Sequence, residues 1–288
     1  QASVVQTLPS LQSAAVMHEV SGGRFRRGLG VSGPQVSEGW HGVRFDRPLG
    51  RTREYVDIVR RALDRKSVTY QGAHWTLPLP DGPGKAQRLT VHPVRQRIPV
   101  YLAALGPTNL ELAGEIADGW LAIFYSPEHA AESLDHVRRG RAVAGLSMQG
   151  FDVVPTVPLV IGDDLEACAE PVRAYSALYL GGMGSRSQNF YNQLAVRMGF
   201  ADAAARVQDL FLDHKPRDAA AAVPFGFVDT TSLIGPIERI RDRLQAYADA
   251  GTTTLSVTAP QGALDQRIAG LRSLVHALDA AGLADGMA

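Results

Sequence analysis

A glycine-rich segment near the amino terminus holds the first residues that could bind a ligand. It reads Gly28-Leu29-Gly30-Val31-Ser32-Gly33-Pro34 and follows a predicted strand. Glycines let the backbone approach a ligand closely, and successive free N–H groups form a concavity suited to anions. The spacing of Gly28, Gly30 and Gly33 fits the dinucleotide-binding Gly-x-Gly-x-x-Gly pattern, but Pro34 and the Gly39-Trp40-His41-Gly42 stretch prolong the loop where a helix should start at once, so the pattern indicates a dinucleotide site only weakly. A ligand loop at a strand end and a tight turn with structural glycines both stay open.

A second strand is predicted to end in the same way, at Ala103-Ala104-Leu105-Gly106-Pro107. Gly106 and Pro107 turn the chain, and the amino terminus of the helix that follows could face a phosphate. An equally good explanation is a helix cap made by Thr108, which needs no ligand. The next strand is predicted to end at Ile123-Phe124-Tyr125.

His41 is a candidate proton donor, because it lies beside Trp40 in the first glycine-rich loop and histidine exchanges protons readily near neutral pH. An exposed loop histidine without a role is the commoner case, and His74 and His92 are weaker candidates. No histidine–carboxylate pair has metal-ligand spacing, which predicts no metal site. No Gly-x-Ser-x-Gly elbow supports hydrolase chemistry.

The elements that must position these loops alternate short apolar runs with amphipathic helices, the pattern of βα units around a parallel sheet. The spacing predicts strands over residues 25–31, 98–104, 119–124, 151–161, 223–228 and 253–258. It predicts helices over residues 10–20, 48–65, 109–116, 127–144, 164–181, 188–212, 236–250 and 263–281. A long loop is predicted over residues 67–97. About five βα units result, fewer than a complete eight-fold barrel needs.

Composition excludes several classes of protein. The chain of 288 residues has 29 basic and 29 acidic side chains, and this zero net charge argues against a nucleic-acid partner. No apolar run is long enough to predict a membrane span. The single cysteine, Cys168, rules out a disulfide framework, fits a reducing cytoplasm and is read as a packed helical side chain.

Several motifs, in a fixed order, resemble the luciferase-like monooxygenase superfamily, and most closely its actinobacterial branch that uses the deazaflavin coenzyme F420. The first is Ser21-Gly22-Gly23-Arg24-Phe25, followed by residues 28–42 and Arg51-Thr52-Arg53-Glu54-Tyr55. Further matching stretches lie at residues 84–86, 99–107, 113–120, 181–184 and 209–235. The resemblance implies an α/β fold, a (β/α)8 TIM barrel forming one domain over residues 1–288. It also implies that the first βα units of the barrel, which often carry an acid/base residue, precede Gln1.

The resemblance further implies a cofactor lying across the carboxyl-terminal mouth of the barrel. The loop over residues 32–37 would flank the ring, and the stretch over residues 103–107 would receive the ribityl-phosphate. The residues implied for the cofactor are Gly30, Val31, Ser32, Gly33, Pro34, Ser37, Ala103, Ala104, Leu105, Gly106, Pro107, Ile123, Phe124 and Tyr125. Trp40 and Met183 would contact the substrate, and His41 stays the candidate acid/base.

The leading hypothesis is hydride transfer between coenzyme F420 and a small organic substrate. A first alternative keeps the fold and replaces the coenzyme with FMN, giving an oxygen-activating monooxygenase. A second alternative is a non-catalytic cofactor-binding homologue. A homodimer in the cytoplasm is the family tendency, and the sequence does not indicate which substrate is used.

Overall fold

A computed structural model describes residues 13–90, 97–259 and 262–284. The contacts divide the chain into two compact units. The first unit contains the chain up to Ala104 together with Thr108–Trp120 and Val137–Phe151, and the second contains Leu105–Pro107, Leu121–His136 and the chain from Asp152 onward.

Strands and helices alternate along the described chain. After a helix at residues 13–20 (α1) come β1 Arg27–Gly30, α2 Pro34–Ser37, α3 Pro48–Leu63, β2 Tyr70–Gln71, β3 Thr76–Leu77, β4 Val100–Ala103, α4 Pro107–Ile116 and β5 Gly119–Ile123. A 3-10 turn at Pro127–His129 leads into α5 Ala130–Val143, β6 Asp152–Ile161, α6 Leu165–Ala177 and a π-helical turn, Leu178–Gly182. The last elements are α7 Phe190–Arg197, α8 Ala201–Leu212, α9 Pro216–Ala221, α10 Phe225–Thr230, β7 Leu233–Gly235, α11 Ile237–Asp249, β8 Ser256–Thr258 and α12 Leu264–Ala280.

In the first unit β1 and β4 pair in parallel, with Arg27 opposite Val100 and Gly30 opposite Ala103. In the second unit β6 is long enough to have two parallel partners. Its residues 156–158 pair with β8, and its residues 159–161 pair with β7. These pairings confirm the parallel βα arrangement that the sequence predicted. Cys168 is buried at 4% exposure on α6, as predicted.

Two glycines in the first unit let α4 and α5 pack backbone against backbone. A Cβ added to Gly114 would overlap the carbonyl oxygen of Val137, and one added to Gly140 would overlap that of Glu111. Because backbone cannot move aside as a flexible side chain can, any larger residue must push the two helices apart.

We therefore expect Gly114→Ala to lower the free energy of unfolding by about 1–3 kcal/mol, the usual cost of overpacking. The matched control is Gly270→Ala on α12, where an added Cβ meets no atom nearer than 3.9 Å. That change is expected to be neutral or stabilising by up to about 1 kcal/mol, because alanine favours helix over glycine. Urea unfolding of both variants measures the difference, and equal stabilities would refute the close-packing argument.

Two sequence predictions were wrong in the second unit. Residues 188–212 form two helices rather than one, because Gly199 ends α7 with a positive φ of 88°. Residues 223–228 form no strand: helix α10 starts at Phe225, and the strand is β7 at Leu233–Gly235. The alternating Val223, Phe225 and Phe227 imitate the period of a strand, yet Pro224 at the amino-terminal cap starts a helical turn. None of the described helices is long and apolar enough to cross a membrane.

Candidate active site

The ends of β1 and β4 are neighbours in the first unit, and both had been predicted as ligand loops. Gly30 lies opposite Ala103, and both residues are exposed. A Cβ added to Gly30 would lie 3.4 Å from the Ala103 Cβ, so a larger side chain at Gly30 would have to extend over the exposed ends of the two strands. The carboxyl ends of parallel strands are where ligands bind in α/β folds. The two strand ends thus form a continuous exposed surface without large side chains, which we call the floor of the site.

The loop after β1 is held in shape by its own residues. Ser32 takes a left-handed conformation with φ 58°, and Pro34 begins the short helix α2. Ser37 is fully buried, and its hydroxyl donates to the carbonyl of Val43 at 3.0 Å. The Ser37 side chain therefore stabilises the loop from inside and is not available to a ligand. A ligand could contact the backbone of residues 30–34, which Ser37 helps to hold in place.

The predicted acid/base and substrate residues of this unit lie on its surface. Trp40 is 85% exposed and His41 is exposed beside it. His74 belongs to a different turn, which the Glu54 carboxylate holds by accepting the backbone N–H groups of residues 73–75 at 2.7–3.2 Å. His92 lies outside the described residues. His41 stays the candidate because it follows the β1 loop closely in the sequence.

Trp120 of β5 and Asp118, just before β5, hold the two ends of β4 in place. Ala104 is buried, and its carbonyl accepts the indole N–H of Trp120 at 2.9 Å. The Asp118 carboxylate accepts the backbone N–H of Val100 at 2.9 Å and the Arg97 guanidinium at 2.6 Å. The stretch over residues 118–120, which matched the family pattern, therefore fixes the strand that carries the site.

The predicted phosphate-binding stretch leads directly into α4. Arg197 donates to the carbonyl of Leu105 at 2.9 Å, and a Cβ added to Gly106 would meet no atom within 4 Å. Helix α4 begins at Pro107, so Thr108 is its second residue and does not act as the cap. Its first turn has no acidic side chain. The free space beside Gly106 suits an anion. So does the amino terminus of α4, because no acidic side chain in the first turn offsets its positive dipole end.

The residues that follow β5 are buried in the second unit. Phe124 has φ 51°, an uncommon conformation for a bulky residue, and is 4% exposed. The Tyr125 hydroxyl donates to the carbonyl of Ala250 at 2.5 Å, and the Tyr247 hydroxyl donates to the carbonyl of Tyr125 at 3.2 Å. Among the three residues predicted as a cofactor wall, Phe124 and Tyr125 are thus buried within their own unit. Met183, after the π-helical turn, is 38% exposed.

A polar network that the sequence did not reveal holds the segment after Tyr125. The Ser126 and Thr230 hydroxyls lie 2.6 Å apart and both lie 2.7 Å from Oε2 of Glu128, so at least one of them donates to the carboxylate while the other can donate to its neighbour. The Arg243 guanidinium pairs with the same carboxylate. Burial alone would raise the pKa of Glu128, but hydrogen bonds from Arg243, Thr230 and Ser126 outweigh it and lower the pKa to about 2.

We expect Glu128→Gln to lower the free energy of unfolding at pH 7 by about 1 kcal/mol, since the half-exposed carboxylate is partly screened. Because the pKa falls from its usual 4.5 to about 2 on folding, this stabilisation is present above pH 4.5 and disappears as the pH falls toward 2. Urea unfolding across this range should show the two proteins converging. Glu132→Gln, at an exposed position on α5, serves as the control. A gap that does not change with pH would contradict the network.

No cluster of three or more histidine, cysteine or acidic residues suited to a metal ion occurs within the described ranges.

Sequence and structural comparisons identify the class of protein. Residues 9–254 match the family described as Luciferase-like monooxygenase, and the chain belongs to this family. The chain is 42% identical over 254 residues to Rv3520c of Mycobacterium tuberculosis, a coenzyme F420-dependent oxidoreductase by name; this covers 86% of the chain and 73% of that relative.

Solved structures show the same fold. The coenzyme F420-dependent tetrahydromethanopterin reductase of Methanopyrus kandleri superposes with a TM-score of 0.75 at 22% identity, covering 93% of this chain and 77% of that one. An F420-dependent secondary alcohol dehydrogenase, in complex with an F420–acetone adduct, gives a TM-score of 0.73 at 16% identity over 94% and 75% of the two chains. The predicted α/β fold of the luciferase-like TIM barrels is therefore confirmed.

Proposed function

We propose that this protein is an oxidoreductase that transfers a hydride between coenzyme F420 and a small organic substrate. The observation that carries the proposal is the 42% identity over 86% of the chain to a relative named for this coenzyme. The two solved structures that share the fold are named for the same coenzyme.

The residues present fit such a coenzyme. Gly30 and Ala103 leave the paired strand ends free of large side chains, on which a flat ring can lie. The open Gly106 and the acid-free first turn of α4 suit the phosphate of the ribityl chain. The backbone of residues 30–34 and of residues 103–107 would hold the coenzyme, with Ser37 supporting the first loop from within.

When bound, the coenzyme supplies a ring that exchanges two electrons as a hydride. The protein orients the substrate and excludes water from it. We assign substrate contacts to Trp40 and Met183, and His41 to the proton that accompanies the hydride. Ile123, Phe124 and Tyr125 would shape the site through their backbone, because two of their side chains are buried elsewhere.

Parallel fluorescence titrations of the purified protein with F420 and with FMN test this proposal. We expect F420 to bind at least about tenfold more tightly than FMN, a difference of about 1.4 kcal/mol. Tighter binding of FMN would favour the monooxygenase alternative. Binding of F420 with no hydride transfer to or from any small organic substrate would favour the non-catalytic homologue.

Three further features stay predictions from the sequence: one barrel domain over residues 1–288, a homodimer and a cytoplasmic location. The family match at residues 9–254 runs through both compact units, which supports the single domain. Light scattering on the purified protein measures the oligomeric state, and a monomeric mass would contradict the homodimer.

A further inference from the structure

The last helix of the second unit, α12, exposes a row of large apolar side chains. The row consists of Leu264, Ile268, Leu271 and Val275, which are 68%, 37%, 39% and 54% exposed. We refer to these four residues as the α12 stripe. A different side of the helix, with Leu274 and Ala277, is buried within the unit. A contiguous apolar row on the surface of a folded protein marks an interaction site, whereas isolated exposed apolar residues do not.

The spacing of the α12 stripe determines what can cover it. Its residues are separated by four, three and four positions, which is the heptad repeat of a coiled coil. In the usual notation Leu264 and Leu271 occupy d positions, and Ile268 and Val275 occupy a positions. Because an α-helix turns by about 100° per residue, the four side chains lie along one narrow line on its surface. Such a line is complementary to a second helix, whose side chains fill the spaces between these four.

A second copy of α12 that runs in the opposite direction fits the stripe. In an antiparallel pair of helices, each a position lies opposite a d position of the partner. Leu264 then lies opposite Val275 of the second copy, and Ile268 lies opposite Leu271 of the second copy. A twofold axis between residues 269 and 270 repeats both contacts, so every side chain of both stripes is covered. The α12 stripe is therefore complementary to itself.

Charged residues beside the stripe favour the same arrangement. Asp265 and Arg272 are exposed, and neither has an ion-pair partner among the described residues. The register that aligns the apolar residues brings Asp265 beside Arg272 of the second copy, and the twofold axis repeats this pair. In a parallel pair of helices Arg267 would instead lie beside Arg272 of the second copy, and the like charges would repel each other. The charges therefore favour an antiparallel pair of identical helices.

We propose that two copies of this protein associate through their α12 stripes, packed antiparallel with Asp265 of each copy paired to Arg272 of the other. The sequence predicted a homodimer only as a family tendency, and α12 gives this association a surface and an orientation. The interface belongs to one helix and includes none of the residues assigned to the coenzyme or the substrate. Its tests measure mass rather than coenzyme binding, so their outcome is independent of the proposed function.

A charge placed in the middle of the stripe tests the surface. Leu271→Glu puts two unpaired carboxylates into the interface of each dimer, and we expect it to raise the dissociation constant at least about a hundredfold. Ser273→Glu, at an exposed position of the same helix outside the stripe, is the matched control and should associate as the wild type does. Sedimentation equilibrium of the full chain over about 1–100 µM measures these dissociation constants.

Two results of this experiment would overturn the proposal. One is a wild-type protein that stays monomeric at the highest concentration, and the other is a Leu271→Glu variant that dimerises as well as the wild type. A monomeric wild type that Leu271→Glu makes less stable in urea would show that another part of the same chain covers the stripe, which also excludes the proposed dimer.

Exchanging the charges tests the orientation and the register of the two helices. Asp265→Arg and Arg272→Asp should each raise the dissociation constant about tenfold, because two attractive pairs become two repulsive ones. The double variant restores the pairs and should dimerise as the wild type does, which also controls for the favourable place of Asp265 in the first turn of α12. A mixture of the two single variants should form heterodimers in preference to either homodimer. A double variant that is not rescued, together with a mixture that forms no heterodimers, would contradict the antiparallel pairing.

Discussion

Gly30→Leu is expected to weaken binding of coenzyme F420 by at least about tenfold, or about 1.4 kcal/mol, while the protein stays folded. The position is exposed at the end of β1 and lies opposite Ala103, so a branched side chain would occupy the floor on which the ring is proposed to lie. Gly30 does not have a positive φ, so leucine causes no backbone strain there. A strand also accommodates leucine better than glycine. Stability should change by no more than about 0.5 kcal/mol, as for most surface substitutions.

Gly30→Ala is the matched control for this experiment. Its Cβ would lie 3.4 Å from the Ala103 Cβ, a tight contact that a small shift relieves. We expect it to retain most of the affinity for F420 measured by fluorescence. Ala103→Leu, which fills the same floor from the neighbouring strand, should reproduce the loss. If both leucine variants bind F420 as the wild type does, the coenzyme does not lie on this pair of strands.

Phe124→Ala is expected to lower the free energy of unfolding by about 3–5 kcal/mol, the usual cost of removing a buried aromatic side chain. The ring centroid of Phe124 lies 5.3 Å from that of Phe227, and the ring also packs against Tyr175, Tyr179 and Tyr191, so its loss leaves a cavity in the core of the second unit. Phe124 also has φ 51°, and a residue with a Cβ is strained there.

Comparison with Phe124→Gly separates the cavity from the strain. Glycine leaves the same cavity but adopts positive φ freely, so Phe124→Gly should be at least as stable as Phe124→Ala, by up to about 1 kcal/mol. In ordinary strand or helix positions the order is the reverse. Urea unfolding of the two variants gives the order directly, and a clearly more stable alanine variant would contradict the left-handed conformation.

The sequence predicted the two strand ends of the first unit because their chemistry is local. The apolar run before Gly106 and Pro107 places β4, and the glycines at its exit place β1 despite Arg26 and Arg27, each within a few residues of where the structure has it. The βα pattern predicts parallel strands, whereas the register that sets Gly30 opposite Ala103 is seen only in the structure.

The remainder of the site depends on contacts between residues far apart in the chain. The family resemblance implied Ser37 as a cofactor contact, and only the folded loop shows that its hydroxyl donates to the carbonyl of Val43. No local pattern could predict the contact of Tyr125 either, because its hydroxyl donates to the carbonyl of Ala250, which lies 125 residues further along the chain.

A crystal structure of the protein with F420 bound tests the central claim most directly. We predict electron density for the deazaflavin ring along the paired ends of β1 and β4, with its ribityl-phosphate near Gly106 and the start of α4. Density for the ring elsewhere in the protein, with the backbone of residues 30–34 and 103–107 free of contacts to it, would contradict the account.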